Sequence, residues 1–183
     1  FPQFNDIKKI INNKNNIYTI ISHVHDDHLD DFFVGNYLNN SQIIISKFES
    51  KGFFRRVSKL SLKNPIEINQ DCSMPVKINN NFFYSYSNDQ MQNDAIILIA
   101  NENELIIHAN DNYREQPKSI VDEIKKISEN KKIYYFGKAG VANAFPAGFP
   151  NIPLNKRKEI IRSEHERFIT AFEKNIDSIK PDL

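Results

Sequence analysis

The sequence has no tryptophan, one cysteine, five glycines and two methionines in 183 residues. A lone cysteine, Cys72, excludes a disulfide within the chain and is typical of a reducing compartment, so we expect a cytoplasmic protein. No apolar run is long enough to span a bilayer, and the mean hydropathy of −0.53 argues against a membrane protein. At 40% hydrophobic residues the chain still has enough apolar side chains for a core.

An excess of charge of one sign is also missing. Lys and Arg number 24 against 23 Asp and Glu, which gives a net charge of +1 at pH 7, and no long run of like charge occurs. Bulk electrostatics therefore offers no attraction to nucleic acid or anionic lipid. We expect a small-molecule substrate that is recognised locally, and neither a nucleic-acid nor a membrane partner.

Short apolar runs alternate with amphipathic stretches, which predicts a mixed α/β protein. The predicted strands are Ile17 to Ser22, Gln42 to Ser46, Met74 to Ile78, Phe82 to Tyr86, Ala95 to Ala100, Glu104 to Ala109 and Lys132 to Phe136. The predicted helices are Asp6 to Asn12, Asp30 to Leu38, Glu49 to Leu60, Glu115 to Glu129 and Asn155 to Ile176. The four predicted strands between Met74 and Ala109 are typical of hairpins in a meander. No linker divides the chain, so we predict one domain over residues 1–183.

Three of the five histidines lie within six residues, directly after an apolar strand, in Ser22-His23-Val24-His25-Asp26-Asp27-His28-Leu29. Imidazole nitrogens suit zinc or iron, and two histidines spaced i and i+2 at a strand end point the same way. The following turn can bring Asp27 and His28 to a second point. The alternative, a polar turn that happens to be rich in histidine, gains nothing structurally from three imidazoles.

The pattern His23-x-His25-x-Asp27-His28, after a strand and before a helix, resembles the signature loop of the metallo-β-lactamase fold. The resemblance implies an αββα sandwich in which His23 and His25 hold one metal and Asp27 and His28 a second. Downstream, two strands ending in Asn110-Asp111-Asn112 are similar to the family's strand pair that ends in a metal-bridging aspartate. Asp111 is the residue this implies. The alternative is an ordinary turn aspartate, since Asn-Asp-Asn is common turn chemistry.

The chain departs from the family pattern at the third histidine of the first metal, which is missing before the strand at Ala95. Asp89 or Gln90 stands nearest that place, and His108 is a further candidate. His165 lies on the polar side of a predicted helix, where a solvated histidine is expected. Because several family elements are missing at both ends, we expect either a piece of a longer protein or a shortened version of the fold.

One branch of the fold resembles more of the chain. The order of Asp94-Ala95, Asn110-Asp111, Gly137-Lys138-Ala139-Gly140 and the last helix is similar to the lactamase-like portion of CMP-N-acetylneuraminate hydroxylases and their bacterial relatives. The Rieske ligands of those hydroxylases are absent from this sequence. Hydroxylation would therefore need a separate electron donor.

These patterns favour a metal-dependent hydrolase with one or two zinc ions, in which Asp27 orients the attacking water or takes its proton. An iron-dependent protein acting on a nucleotide sugar is the alternative that the hydroxylase resemblance implies, with Lys138 or Arg114 meeting the phosphate. A non-catalytic binding module on a degenerate form of the fold is the second alternative, and the missing histidine favours it.

Overall fold

The chain divides into two units, Phe1–Ile99 and Ala100–Leu183, and the first contains a parallel three-stranded sheet. The structure is a computed structural model, and it describes residues 9, 17–26, 28–71, 73–89, 94–112, 114–138, 146 and 148–183. The predicted helix from Asp6 to Asn12 lies outside these residues except for Lys9, which is helical.

Strands β1 (Tyr18–Ile21), β2 (Gln42–Ser46) and β3 (Ile66–Ile68) pair in that order, all parallel. The predictions of β1 and β2 are confirmed, the latter residue for residue. Strand β3 was not predicted, because three residues are too few to show the alternation of a strand.

The alternating side chains of β2 pack into two different clusters. Ile43 and Ile45 pack with Leu29 of the histidine loop, the segment Ser22 to Leu29, and with Val34, Phe53 and Val57 further along the chain. Ile44 instead packs with Ile68, Phe83 and Ile97. Because successive strand side chains point to opposite faces, one sheet face is covered by helices and the other by a second set of strands. Each such burial stabilises the fold by about 1.5–3 kcal/mol.

Two helices follow β1 among the described residues of this unit. The first is α1, an α-helical turn at Asp31–Phe33 that continues as a π-helix over Val34–Leu38, and the second is α2 at Gly52–Leu60. Asp30 caps α1 by accepting a hydrogen bond from the Phe33 amide at 2.6 Å, which confirms its expected place at the helix N-terminus. The helix predicted to begin at Glu49 begins three residues later, at Gly52. The Ser50 hydroxyl, which precedes the helix, accepts a hydrogen bond from the Gly52 amide.

After β3 come β4 (Val76–Ile78), β5 (Asn81–Asp89) and β6 (Asp94–Ala100), which are neighbours in that order. Strands β4 and β5 are antiparallel, with Ile78 opposite Asn81, and Asn79 between them has a φ of 53°. This left-handed value suits asparagine in a tight turn. The predicted hairpin is confirmed here.

The second unit contains β7 (Glu104–Asn110), α3 (Lys118–Ile127), β8 (Lys132–Gly137) and α4 (Leu154–Ile179). Strands β7 and β8 are parallel, with Glu104 opposite Lys132, and the register shifts between His108 and Asn110. Helix α3 starts three residues later than predicted, because the residue before a proline is driven to extended backbone and Pro117 stands at the N-cap.

The buried side chain of Asn175 ties α4 to the segment that precedes α3. Its Oδ1 accepts from the Gln116 amide at 2.8 Å, and its Nδ2 donates to the Arg114 carbonyl at 3.0 Å. Nδ2 also lies 3.4 Å from the Tyr135 hydroxyl. Burial raises the pKa of Tyr135, while its hydrogen bond with Asn175 acts in the opposite direction.

We expect Asn175→Ala to lower the free energy of unfolding by about 1–3 kcal/mol, because it leaves buried polar groups of the backbone with fewer partners. Urea denaturation measures this loss. Asn155→Ala, on the exposed side of the same helix, is the matched control and should change stability far less. Equal stabilities of the two variants would contradict the anchoring role of Asn175.

Candidate metal centre

The histidine loop connects β1 to α1 and is closed by backbone hydrogen bonds. The carbonyl of His25 accepts from the amides of His28 at 2.9 Å and of Leu29 at 2.8 Å. Leu29 is fully buried and Val24 packs against the same core cluster, so apolar residues hold the loop on both sides of His25. His25 and Asp26, which lie between these two apolar residues, are exposed.

The rings of His23, His25 and His28 lie together. The His23 ring centroid is 4.5 Å from that of His25, with the rings perpendicular, and 4.2 Å from that of His28. His23 and His28 each present a ligand atom within 4.8 Å of the other. His23 is fully buried, His28 is half-buried and His25 is exposed, so the group extends from the interior to solvent.

A buried carboxylate stands behind His23. The Oδ1 atom of Asp94, the first residue of β6, lies 3.0 Å from His23 Nδ1, and the Ser22 hydroxyl is hydrogen-bonded to the same nitrogen at 2.9 Å. The carboxylate is close enough for an electrostatic contact but lacks the alignment of a hydrogen bond. A histidine that binds a metal commonly has such a polar partner at its other ring nitrogen. Nδ1 therefore faces the protein, and Nε2 is the nitrogen suited to a metal.

Asp111 lies in the second unit, one residue beyond the end of β7. Its Oδ1 forms an ion pair with Lys138 Nζ at 3.0 Å, and each side chain is about one-fifth exposed. The amide of Asn112 donates to the Ala109 carbonyl, so the chain turns directly after the strand. The carboxylate thus stands at a strand end, where it is held by a cation.

The other residues singled out in the sequence fall into two groups. Asp27, Gln90 and Cys72 lie outside the described residues, as does the side chain of Asp89. His108 is exposed on β7, and His165 is exposed on α4, as its expected solvation requires.

Sequence reasoning missed the contact of Asp94 with His23, although it noted Asp94 at the start of a strand. The usable signal was an acidic residue directly before the uninterrupted apolar run Ala95 to Ala100. A carboxylate in that setting is buried, and a buried carboxylate needs a polar partner.

An open groove of about 520 Å³ lies in the second unit, and Arg114, one of the two residues expected to meet a phosphate, lines it. Arg167 and Lys174 also line the groove, together with Glu115 and Glu166. Lys174 is paired with Glu115 at 2.7 Å, so the positive charge of the groove is partly neutralised.

The chain has an α/β fold of the metallo-β-lactamase type, as the histidine loop predicted. Among solved structures it is similar to a glutamate-to-aspartate mutant of the β-hydroxylase CmlA, with a TM-score of 0.62 and 12% sequence identity. That likeness covers 92% of this chain and 36% of the hydroxylase, so the chain spans about a third of the hydroxylase's length. It is also similar to the metallo-β-lactamase fold protein YhfI from Bacillus subtilis, with a TM-score of 0.44 and 16% identity over 68% of this chain and 51% of that one.

Sequence comparison adds no relative, because neither the known protein families nor the curated proteins contain a match to this chain. Within the part of the chain that the structure describes, no helix combines the length and apolar character needed to cross a membrane.

Proposed function

We propose that this chain is a metal-dependent hydrolase of the metallo-β-lactamase superfamily. The observation that carries the proposal is the grouping of three imidazoles, His23, His25 and His28, with the carboxylate of Asp94 behind the buried one. Neighbouring imidazoles gain little from one another without a shared ion, whereas they are preferred ligands of zinc and iron.

The donor set fits a metal ion. Two imidazole nitrogens on one zinc lie roughly 3.3 Å apart, given bonds of about 2.0–2.1 Å in tetrahedral geometry. The ligand atoms of His23 and His28, which the resemblance assigns to two different metals, are within 4.8 Å of one another, so a rotation of the half-buried His28 ring brings both within reach of a single ion. The proposed ligands are His23, His25, Asp27, His28 and Asp111, and Asp27 and Asp111 come from the resemblance of the sequence to the family.

When bound, zinc would lower the pKa of a coordinated water to about 7 and so supply a nucleophile at neutral pH. The chain's own residues have the remaining tasks. Asp94 and Ser22 hold the His23 ring in one orientation. Asp27 is proposed to orient the attacking water or to take its proton. Lys138 neutralises Asp111 and keeps that carboxylate at the end of β7.

An iron-dependent hydroxylase is the second candidate, and a specific observation favours it. The solved structure that is similar over 92% of this chain is named a β-hydroxylase. A nucleotide-sugar substrate, as in the CMP-N-acetylneuraminate hydroxylases, belongs to this alternative. It requires an electron donor on a separate partner or on another part of the protein.

Metal analysis of protein purified without chelators tests the proposal. One or two equivalents of zinc, with hydrolysis of a simple ester or lactone that is lost after chelation and restored by zinc, would support the hydrolase. Iron without such hydrolysis would replace it with the hydroxylase. Protein that holds no metal, and gains no thermal stability from zinc or iron(II), would overturn both and favour a binding module.

A further inference from the structure

Arg56 is fixed in place by the core residues on either side of it. Phe53 and Val57 of α2 are buried in the cluster that also contains Leu29 of the histidine loop. Phe53, Arg56 and Val57 share a helical face, since residues three and four apart are neighbours on a helix surface. The helix therefore presents the guanidinium to the loop.

The guanidinium makes four contacts with the loop and its exit into α1. Nη1 donates to the carbonyl of Val24 at 2.9 Å, and Nη2 donates to the carbonyl of Leu29 at 3.0 Å. Nη2 also meets the carboxylate of Asp26 at 2.9 Å, and Nε that of Asp31 at 2.7 Å. The two carbonyls precede His25 and follow His28, so Arg56 holds the loop at both ends of the turn between these histidines.

Only arginine supplies these contacts from one side chain, because its planar fork carries five N–H donors in fixed directions. The hydrogen bond to Asp26 contributes most to raising the pKa of Arg56. Asp31 also raises this pKa, whereas burial lowers it. Arginine is always protonated in proteins, so α2 places a permanent cation against the loop.

The contact with Asp26 also distinguishes two adjacent carboxylates. Asp26 and Asp27 both follow His25, and either has the chemistry of a metal ligand. Asp26 forms an ion pair with Arg56, and the Asp26 side chain is largely exposed. Asp27 remains the metal ligand of the two that the resemblance to the metallo-β-lactamase loop implies.

We propose that Arg56 is a positioning residue that sets the spacing of the metal-binding histidines by holding the loop at Val24 and Leu29. This inference rests on the proposed metal function of the loop. Arg56 lies outside the histidine pattern. It affects metal affinity through the backbone of the loop, without contacting the ion.

The test compares Arg56→Gln and Arg56→Lys with Arg55→Gln, which changes the preceding, exposed arginine of the same helix. Cobalt(II) alone is the probe, and its affinity and visible spectrum are measured on the full chain. Amide exchange of His28 and Leu29, whose N–H groups bond to the His25 carbonyl, is measured on the metal-free protein. Thermal unfolding of each variant shows that it is folded.

Arg56→Gln is expected to weaken cobalt binding about 10- to 100-fold, as changes behind metal ligands do, and to alter the spectrum. It should also speed exchange of the two amides. Arg56→Lys should recover part of the affinity through the two carboxylates, and Arg55→Gln should match the wild type. If Arg56→Gln does not fold, the comparison of Arg56→Lys with Arg55→Gln decides the matter.

Unchanged exchange in Arg56→Gln would overturn the inference, and so would faster exchange with an unchanged cobalt affinity and spectrum. A wild-type protein that binds no cobalt overturns the proposed function and, with it, the metal role of Arg56. The exchange measurements then show separately whether Arg56 holds the loop, so the two failures are distinguishable.

Discussion

Alanine at His28 or His25 is expected to remove the bound metal from protein purified without chelators. Loss of a direct ligand should weaken affinity by more than about 100-fold, since changes to residues behind the ligands already cost 10- to 100-fold. Metal content by mass spectrometry measures the result. Asp111→Asn is expected to have the same effect if the proposed ligand set is right, and asparagine can still accept a hydrogen bond from Lys138.

The burial of each histidine determines how cleanly its variant reports on metal binding. His25 is exposed and His28 is half-buried, so alanine at either position leaves no large cavity. His23 is fully buried, and its replacement would destabilise the protein irrespective of any metal. His165→Ala, on the exposed side of α4, is the matched control and should retain the wild-type metal content. Equal metal in the His25, Asp111 and His165 variants would refute the assignment.

Asp94→Asn is expected to weaken zinc binding about 10- to 100-fold while the protein stays folded. Asparagine keeps the shape of the side chain, but it removes the negative charge that lies 3.0 Å from His23 Nδ1. The His23 ring then loses the electrostatic partner that makes its other nitrogen a better donor to the metal. Competition with a chromophoric chelator measures the affinity.

Asp71→Asn is the matched control for this change. Asp71 is exposed in the same unit, and it accepts hydrogen bonds from the amide and hydroxyl of Ser73, which asparagine also accepts. These contacts lower the pKa of Asp71 without involving any histidine. A zinc affinity that is the same in the Asp94 and Asp71 variants would show that Asp94 has only a structural role.

The sequence by itself determined the regular elements whose pattern is local. Strand β2 was predicted at its exact bounds, because its apolar run from Ile43 to Ile45 is buried on both faces and is bounded by polar residues. The metal-binding character of the histidine loop could also be predicted, since the residue types and the spacing that indicate it lie within a few residues of one another.

Only the tertiary structure decided which residues distant in the sequence contact that loop. Asp94 lies at the start of β6 and Arg56 on α2, and no local pattern links either of them to His23 or Leu29. Their contacts depend on how β6 and α2 pack against the loop within the first unit. Hydrophobic periodicity predicts which face of an element is buried, but it leaves open which polar side chain meets which across the packed elements. The loop could therefore be predicted from the sequence, whereas the residues that hold it could not.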